Sequence, residues 1–463
     1  MFKRIAEDKN FYKTVLLTAI PIMIQNGITN FVGLLDNMMI GRIGTEQMSG
    51  VSIVNQLIFV YNICIFGGIS GSGIFTAQFY GSKDHEGVRN TFRFKIITVA
   101  VISAAAFIIF GFFSDFLISL YLTGDAGTGD PELTRQYALQ YMLIMMAEII
   151  PFALSQVYTG TLRETDRAVL PMKAGIAAVI VNFVFNYILI FGKFGFPALG
   201  VRGAAAATVL SRIVELLFIM LTVHTRKKEY VFMRGAYRTL KIPVRLACDI
   251  LKKGAPLLAN EILWALGMAV MVQCYSIRGL DVVAGLNIST TVSNLFNIVF
   301  ISLGSAAAII VGQRLGMGNL SEAKEAAFKL LFFTSSICVI IAVMLWSVSG
   351  IIPMAYNTSD EVRSIAGSLI RVSAAVMPLL AFSNCCYFSI RAGGKTFITF
   401  LFDCVFVWTV NIPLAYLLAH CTGLNIVPIY AICQGAEFIK CTIGFIMLKK
   451  GIWLNTLCEK PAE

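Results

Sequence analysis

Twelve long apolar segments divide this chain, and they constrain its fold more than any other feature of the sequence. A helix needs about 20 mostly apolar residues to cross a hydrocarbon core about 30 Å thick, because only a helix satisfies all its own backbone hydrogen bonds there. Hydrophobic residues make up 57% of the chain and charged residues only 14%, more apolar side chain than a soluble core hides. The segments lie at residues 12–40, 48–80, 96–121, 133–159, 168–191, 201–223, 254–277, 282–311, 326–352, 362–390, 397–419 and 425–448. We therefore predict an all-α integral membrane protein with twelve transmembrane helices.

Basic residues are distributed unevenly between the two sides of the predicted membrane. With the N-terminus inside, 28 Lys and Arg residues fall on the inner side and seven on the outer side. The positive-inside rule then places both termini in the cytoplasm. The net charge of +11 is accounted for by these short loops, so we expect no nucleic-acid partner. We predict a multi-pass protein of the cell membrane.

The chain contains two copies of one pattern. Five residues of the first half recur in the second at a constant offset of 235 residues: Pro21, Gly44, Gly50, Gln78 and Gly81 match Pro256, Gly279, Gly285, Gln313 and Gly316. Because each copy holds six spans, the halves share one orientation and a pseudo-two-fold axis along the membrane normal. We predict a six-helix bundle at 1–224, a basic linker at 225–253 and a second six-helix bundle at 254–463.

One acid in the first predicted helix stands out because an ionisable group within a span costs about 2.5 to 3.5 kcal/mol. Asp36 lies in an apolar stretch with no basic residue within a helical turn. Asn182 and Asn186 share a face of helix five, and counting ~1.5 Å per residue puts Asn186, Thr208 and Asp36 at similar depth. Their oxygens suit a proton or a sodium ion. Interhelical hydrogen bonding by Asn and Thr, worth about 0.6 kcal/mol per bond, is the alternative for Asn182 and Thr208.

Two further acids are candidates for the interior. Glu261 in helix seven has Asn26 as its repeat partner, so this carboxylate belongs to the second half alone, and we predict a role in substrate binding. Glu148 precedes Pro151 in helix four and has two interpretations, a residue that lines the substrate cavity or a buried hydrogen-bonded acid.

Three more acids are predicted to be structural or interfacial. Glu215 and Glu437 each have a base three residues away, Arg212 and Lys440, which indicates intrahelical ion pairs. Asp403 is expected at the membrane interface near the end of helix eleven.

Taken together, these residues resemble the multidrug and toxic compound extrusion (MATE) family of secondary transporters over nearly the whole chain. The resemblance is carried by Pro21 with Asp36, Ile40-Gly41-x-x-Gly44, Gln78-x-x-Gly81, Gln313-x-x-Gly316, Asn182-x-x-x-Asn186 and Gly200-Val201-x-Gly203-Ala204-Ala205-x-x-Thr208. It implies a V-shaped pair of six-helix bundles and export of amphipathic, often cationic, small molecules driven by inward proton or sodium flow. Asp36, Asn182, Asn186 and Thr208 fall on the family's cation site.

The chain departs from the family pattern at three positions. Asn186 stands where some members carry a second acid, so the site would hold one carboxylate, which weakens the case for a tightly bound metal ion and leaves Na+ at Asp36, Asn182, Asn186 and Thr208 as the candidate. Trp264 stands where several branches place the helix-seven acid, and no acid lies near Leu380 in helix ten. Coupling should therefore depend on Asp36, with H+ or Na+ as the coupling ion and no other cofactor. We expect a monomer whose partners are small amphipathic molecules and membrane lipid.

Three other functions are compatible with a twelve-helix chain. A flippase for a lipid-linked sugar has a similar fold but usually a strongly basic cavity, whereas the mid-span bases here, Arg212 and Lys440, each have an acid nearby. A membrane-embedded enzyme would need a nucleophile with its base or a metal set at membrane depth, and the three His residues lie in loops or at span ends. A channel is not excluded by any motif, but duplicated bundles suit alternating access better.

Overall fold

Twelve helices of membrane-spanning length make up the part of the protein that the structure describes. A computed structural model describes residues 8–122, 130–356 and 358–458, and these ranges contain no strand. The helices, numbered α1 to α12, are Lys9–Gly41, Thr45–Gly81, His85–Ser119, Pro131–Glu164, Val169–Phe191, Val201–Thr225, Val244–Ser276, Leu280–Gly316, Leu320–Val348, Asp360–Ala392, Thr396–Cys421 and Ile426–Lys450. The prediction of an all-α chain with twelve spans is confirmed.

Side-chain caps and glycines set several helix ends. Asp130 Oδ1 accepts hydrogen bonds from the first free N–H groups of α4, and Ser359 Oγ accepts one from α10. At the other end, α5 and α12 stop at Gly192 and Gly451, which have φ angles of 65° and 71°. Glycine adopts this left-handed conformation without the steric cost of a Cβ, so these two helices end where the sequence allows it.

Three of the spans are not regular α-helices. In α4 the residues Met146–Glu148 form a 3₁₀ turn just before Pro151, which has no N–H to donate to the preceding turn. Helix α11 widens into π-helical turns at Leu401–Val405 and Val407–Asn411, and α12 is broken at Ala436. The sequence pattern predicted these spans but not the π-helical turns of α11 or the break in α12.

The described chain divides into two compact units. The first unit comprises residues 24–76 and 85–249, and the second comprises 8–23, 77–84 and 250–458. Helices α1, α2 and α7 therefore contribute residues to both units. Helix α7 begins at Val244, so the last ten residues of the predicted 225–253 linker are helical. The division into 1–224 and 254–463 remains a prediction, since the units follow contacts and not the repeat.

Each unit has its own buried interior. In the first unit the hydroxyl of Tyr61 bonds to Ser103 Oγ at 3.0 Å and donates to the carbonyl of Ile149 at 2.9 Å. In the second unit an apolar cluster includes Leu303 and Trp453, both fully buried. Trp453 lies in the segment 451–458 that follows α12, so this tail contributes one side chain to the packed interior.

Candidate ion-coupling site

Asp36 is joined to three polar side chains of the first unit by a chain of hydrogen bonds. The amide nitrogen of Asn186 donates to Asp36 Oδ1 at 2.5 Å and to Asn182 Oδ1 at 3.0 Å. The amide nitrogen of Asn182 in turn lies 3.4 Å from Thr208 Oγ1, and that hydroxyl donates to the carbonyl of Ala204. The structure thus brings together Asp36, Asn186 and Thr208, which the sequence predicted to lie at similar depth, and Asn182, which was predicted to share a helix face with Asn186.

Close packing of two helices places Thr208 against Asn182. A Cβ at Gly203 would lie 2.5 Å from the carbonyl oxygen of Leu189, inside van der Waals contact, so only glycine permits this approach of α6 to α5. Ala204 and Ala205, which follow it, are buried. The small residues of the Gly203-Ala204-Ala205 motif therefore bring the polar faces of the two helices together.

The orientation of the Asn186 amide decides what this site offers to a cation. In the structure its nitrogen lies between oxygens of Asp36 and Asn182, while its own Oδ1 is buried without a hydrogen-bond partner. A buried, unpaired carbonyl oxygen is unfavourable, and a half-turn of the amide would direct it toward Asp36. The site can then present oxygens from three residues to one proton or one monovalent cation. Among the described residues, no cluster of three or more His, Cys, Asp or Glu side chains is arranged to hold a metal ion.

The sequence left two interpretations of Glu148 open, and in the structure this residue is a buried, hydrogen-bonded acid. Its Oε1 lies 3.1 Å from Arg212 Nε, and Arg212 Nη1 lies 3.1 Å from Glu215 Oε2. The Glu148 side chain is only 6% exposed, and the guanidinium also lies over the Phe152 ring. The predicted Arg212–Glu215 pair is confirmed. Glu148 Oε2 is buried without a hydrogen-bond partner among the described residues, and a role of Glu148 in substrate binding stays a prediction.

Glu261 lies apart from the other candidates, in the second unit. Its side chain is partly buried and forms no hydrogen bond or ion pair with the residues that the structure describes. Arg391 and Asp403 are the charged residues whose fields act on it. The neighbouring Asn260 donates instead to Asp403 Oδ2 at 3.1 Å. Among the described residues of this unit, Glu261 is therefore the predicted substrate-binding acid, and it has no hydrogen-bond or ion-pair partner; its role in binding stays a prediction.

The sequence did not predict a buried charge cluster around Lys440. Its Nζ lies 3.0 Å from Asp403 Oδ1 and 3.4 Å from Glu437 Oε1, and Ser383 donates to the other Glu437 oxygen at 3.0 Å. The predicted Lys440–Glu437 pair is confirmed. Asp403 Oδ2 accepts a hydrogen bond from Asn260 of α7 and its Oδ1 accepts one from Lys440 of α12, so its carboxylate is paired with both helices; its placement at the membrane interface stays a prediction.

The sequence repeat relates the base of this cluster to a base of the first unit. Arg212 and Lys440 are 228 residues apart, and Arg163 and Arg391 repeat at the same offset. Both units therefore carry a base at the equivalent position of their last helix, held between two carboxylates.

Comparison with known proteins assigns the family. The MatE family model matches residues 21–188 and 256–417, and the two matches begin 235 residues apart, at Pro21 and Pro256. The chain is similar to the probable multidrug resistance protein YoeA of Bacillus subtilis, with 26% identity over 90% of this chain and 89% of the relative. It is also similar to the probable multidrug resistance protein NorM of Thermotoga maritima, with 23% identity over 95% and 93%.

Solved structures share the fold. A multidrug resistance MATE family transporter of the MOP superfamily in an outward-facing conformation superposes with a TM-score of 0.82 at 18% identity, covering 95% of this chain and 96% of that one. A mutant of the Vibrio cholerae MATE transporter VcmN gives a TM-score of 0.83 at 16% identity, covering 96% and 97%. With the family model matched over both halves of the sequence, the chain belongs to the MatE family, the multidrug and toxic compound extrusion transporters.

Proposed function

We propose that this transporter is a secondary active exporter of amphipathic, cationic small molecules, driven by inward flow of a proton or a sodium ion through the Asp36 site. The observation that carries the proposal is the single carboxylate of Asp36, tied by Asn186, Asn182 and Thr208 to two neighbouring helices. Neutralising a carboxylate in a dry bundle changes which packing of its helix is favoured. Ion binding at Asp36 thereby biases the transporter between two states.

Vesicles that contain a fluorescent cationic dye test the coupling. Dye transport should follow an imposed sodium or proton gradient in the wild type, and Asp36→Asn should abolish this transport while dye binding survives. Asp360→Asn is the matched control, because its carboxylate is 96% exposed and pairs only with a surface arginine. Normal transport by Asp36→Asn under both gradients would show that the coupling assignment is wrong.

For the substrate we propose that Glu261 attracts the cationic group. It is partly buried and unpaired within the described chain, and relatives named probable multidrug resistance proteins support a small-molecule substrate. Glu261→Gln should weaken export of cationic compounds more than export of neutral compounds of similar size. Glu361→Gln, which neutralises an exposed acid, is the control. Equal loss for both classes of compound would indicate a structural role.

We propose that the protein lies in the cell membrane with both termini in the cytoplasm. The proposal follows from the 28 Lys and Arg residues on the inner side against seven on the outer side. A reporter that is active only outside the cytoplasm, fused after Lys450, should be silent. Activity of that reporter would contradict the proposed topology.

The flippase alternative is less well supported by the charges of the interior. Arg212 and Lys440 are each held between two carboxylates and so do not form the unpaired basic surface that an anionic lipid headgroup needs. An enzyme is also less well supported. His224 bonds to Tyr158, and His420 stacks on Tyr416, so neither is paired with an acid and a nucleophile.

A further inference from the structure

Arg212 lies one helical turn from the polar chain of the Asp36 site. Thr208 and Arg212 are four residues apart on α6, so their side chains leave the same face of the helix. Thr208 is connected to Asp36 through Asn182 and Asn186. The guanidinium is fixed by two acids and by its position over an aromatic ring, and hence its charge has a defined place beside the site.

Arg212 and Glu148 are side chains of opposite charge whose atoms Nε and Oε1 lie 3.1 Å apart, and the charges of both bear on Asp36. The buried Tyr141 is subject to the charges of both Asp36 and Glu148, and Glu215 acts on Glu148. A fixed positive charge repels an incoming cation and a fixed negative charge attracts it, most strongly where water is excluded.

We propose that Arg212 and Glu148 are positioning residues that set the affinity of the Asp36 site for its coupling ion, through their fixed charges and without binding the ion themselves. Arg212 weakens the affinity and Glu148 strengthens it. Neither residue is among the four that form the hydrogen-bonded chain to Asp36. The inference rests on the proposed function, because it concerns the ion that drives export.

The second unit provides a natural comparison. Lys440, at the position equivalent to Arg212, is also held by two acids, Asp403 on α11 and Glu437 three residues before it. The position equivalent to Asp36 is Met271, which packs in an apolar cluster. A base with two acidic partners, although from non-equivalent positions, therefore lies in a unit without the Asp36 carboxylate, and substitutions there control for the removal of a buried charge.

The experiment measures dye export by purified protein in vesicles as a function of sodium concentration and, separately, of pH, and reports the half-saturating ion concentration and the maximal rate. Glu148→Gln should raise the half-saturating concentration roughly tenfold and leave the maximal rate largely unchanged. Glu215→Gln removes an equal charge but should shift it less, since Glu215 acts on Glu148 and not directly on Asp36. Both variants keep one carboxylate for Arg212 and so leave the triad with balanced charge.

Removal of the positive charge of Arg212 should shift the half-saturating ion concentration in the opposite direction. The double variant Arg212→Gln/Glu215→Gln leaves Glu148 as the one charge beside Asp36 and keeps the net charge of the triad. It should lower the half-saturating concentration roughly tenfold, whereas Arg212→Lys, which retains the charge, should restore a value near that of the wild type. Glu437→Gln in the second unit should leave the half-saturating ion concentration unchanged.

A purely structural role predicts loss of maximal rate without opposite shifts in ion affinity. Shifts in the same direction for Glu148→Gln and Arg212→Gln/Glu215→Gln, no shift in Glu148→Gln, or an equal shift in Glu437→Gln would overturn the inference. If the double variant does not fold, the comparison of Glu148→Gln with Glu215→Gln decides. Failure of the proposed function is recognised separately, because the wild type would then show no dependence on either ion, or Asp36→Asn would transport normally; that result would overturn both.

Discussion

The tail after α12 should contribute strongly to stability, and Trp453 is the residue that tests this. Trp453 is among the largest fully buried side chains of the described chain. Its indole nitrogen donates to the carbonyl of Leu448 at 3.3 Å, and its own carbonyl lies against Gly393, where a Cβ would overlap it. Truncating a fully buried tryptophan typically costs about 3 to 5 kcal/mol, from the lost apolar contact and the cavity left behind. We expect Trp453→Ala to lower the stability of the purified protein by that amount.

Thermal unfolding in detergent, followed with a dye that becomes fluorescent on reaction with thiols, measures the effect. Cys385 and Cys386 belong to the same apolar cluster as Trp453 and are fully buried, so they report when this interior opens. Trp346→Ala is the matched control, because that side chain is 51% exposed in the described structure and should cost far less. An unfolding temperature for Trp453→Ala equal to that of Trp346→Ala would refute the assignment of the tail to the packed interior.

Two further predictions concern the same unit. Gly316→Ala should destabilise the protein by about 1 to 3 kcal/mol, because its Cβ would overlap the carbonyl oxygen of Gln78; Gly27→Ala, with open space around it, is the control, and equal unfolding temperatures would contradict the prediction. The hydrogen bond from Lys329 holds the pKa of Asp8 below its usual value, so this ion pair should contribute stability above about pH 4 that is lost as the pH falls further. In Asp8→Asn, the loss of stability at acid pH that this ion pair causes should be absent when unfolding is measured as a function of pH. A pH dependence of unfolding equal to that of the wild type would contradict the prediction.

The twelve spans could be predicted because burial in lipid requires long apolar helices whatever their neighbours are. The repeat was predictable for a related reason, since Pro21 and Pro256 begin copies that must fold to the same backbone. Irregular turns were not predictable in this way. The π-helical turns of α11 preserve the apolar composition of the span, and they depend on partners from other helices, such as the carbonyl of Leu263 that accepts from Trp408 Nε1.

The candidate site was predictable in its members but not in its hydrogen bonds. Depth counting along three helices placed Asp36, Asn186 and Thr208 together, because the rise of a helix is fixed. It could not give the direction of the Asn186 amide, which depends on contacts between helices. Residues three apart on one helix face each other, so the sequence predicted the pair of Arg212 with Glu215. It could not predict the pair of Arg212 with Glu148, because Glu148 lies on another helix.

The two units show how one duplicated framework can carry different chemistry. Both units hold a base between two acids on the last helix, and such a cluster is stable only when each buried charge has a partner. The first unit adds Asp36 beside its cluster, whereas the second has Met271 at the equivalent position. A carboxylate added next to a triad whose one base already pairs with two acids has no base of its own to neutralise it. On the proposed function, the charge that neutralises Asp36 is the coupling ion, and the triad beside it determines how tightly that ion is held.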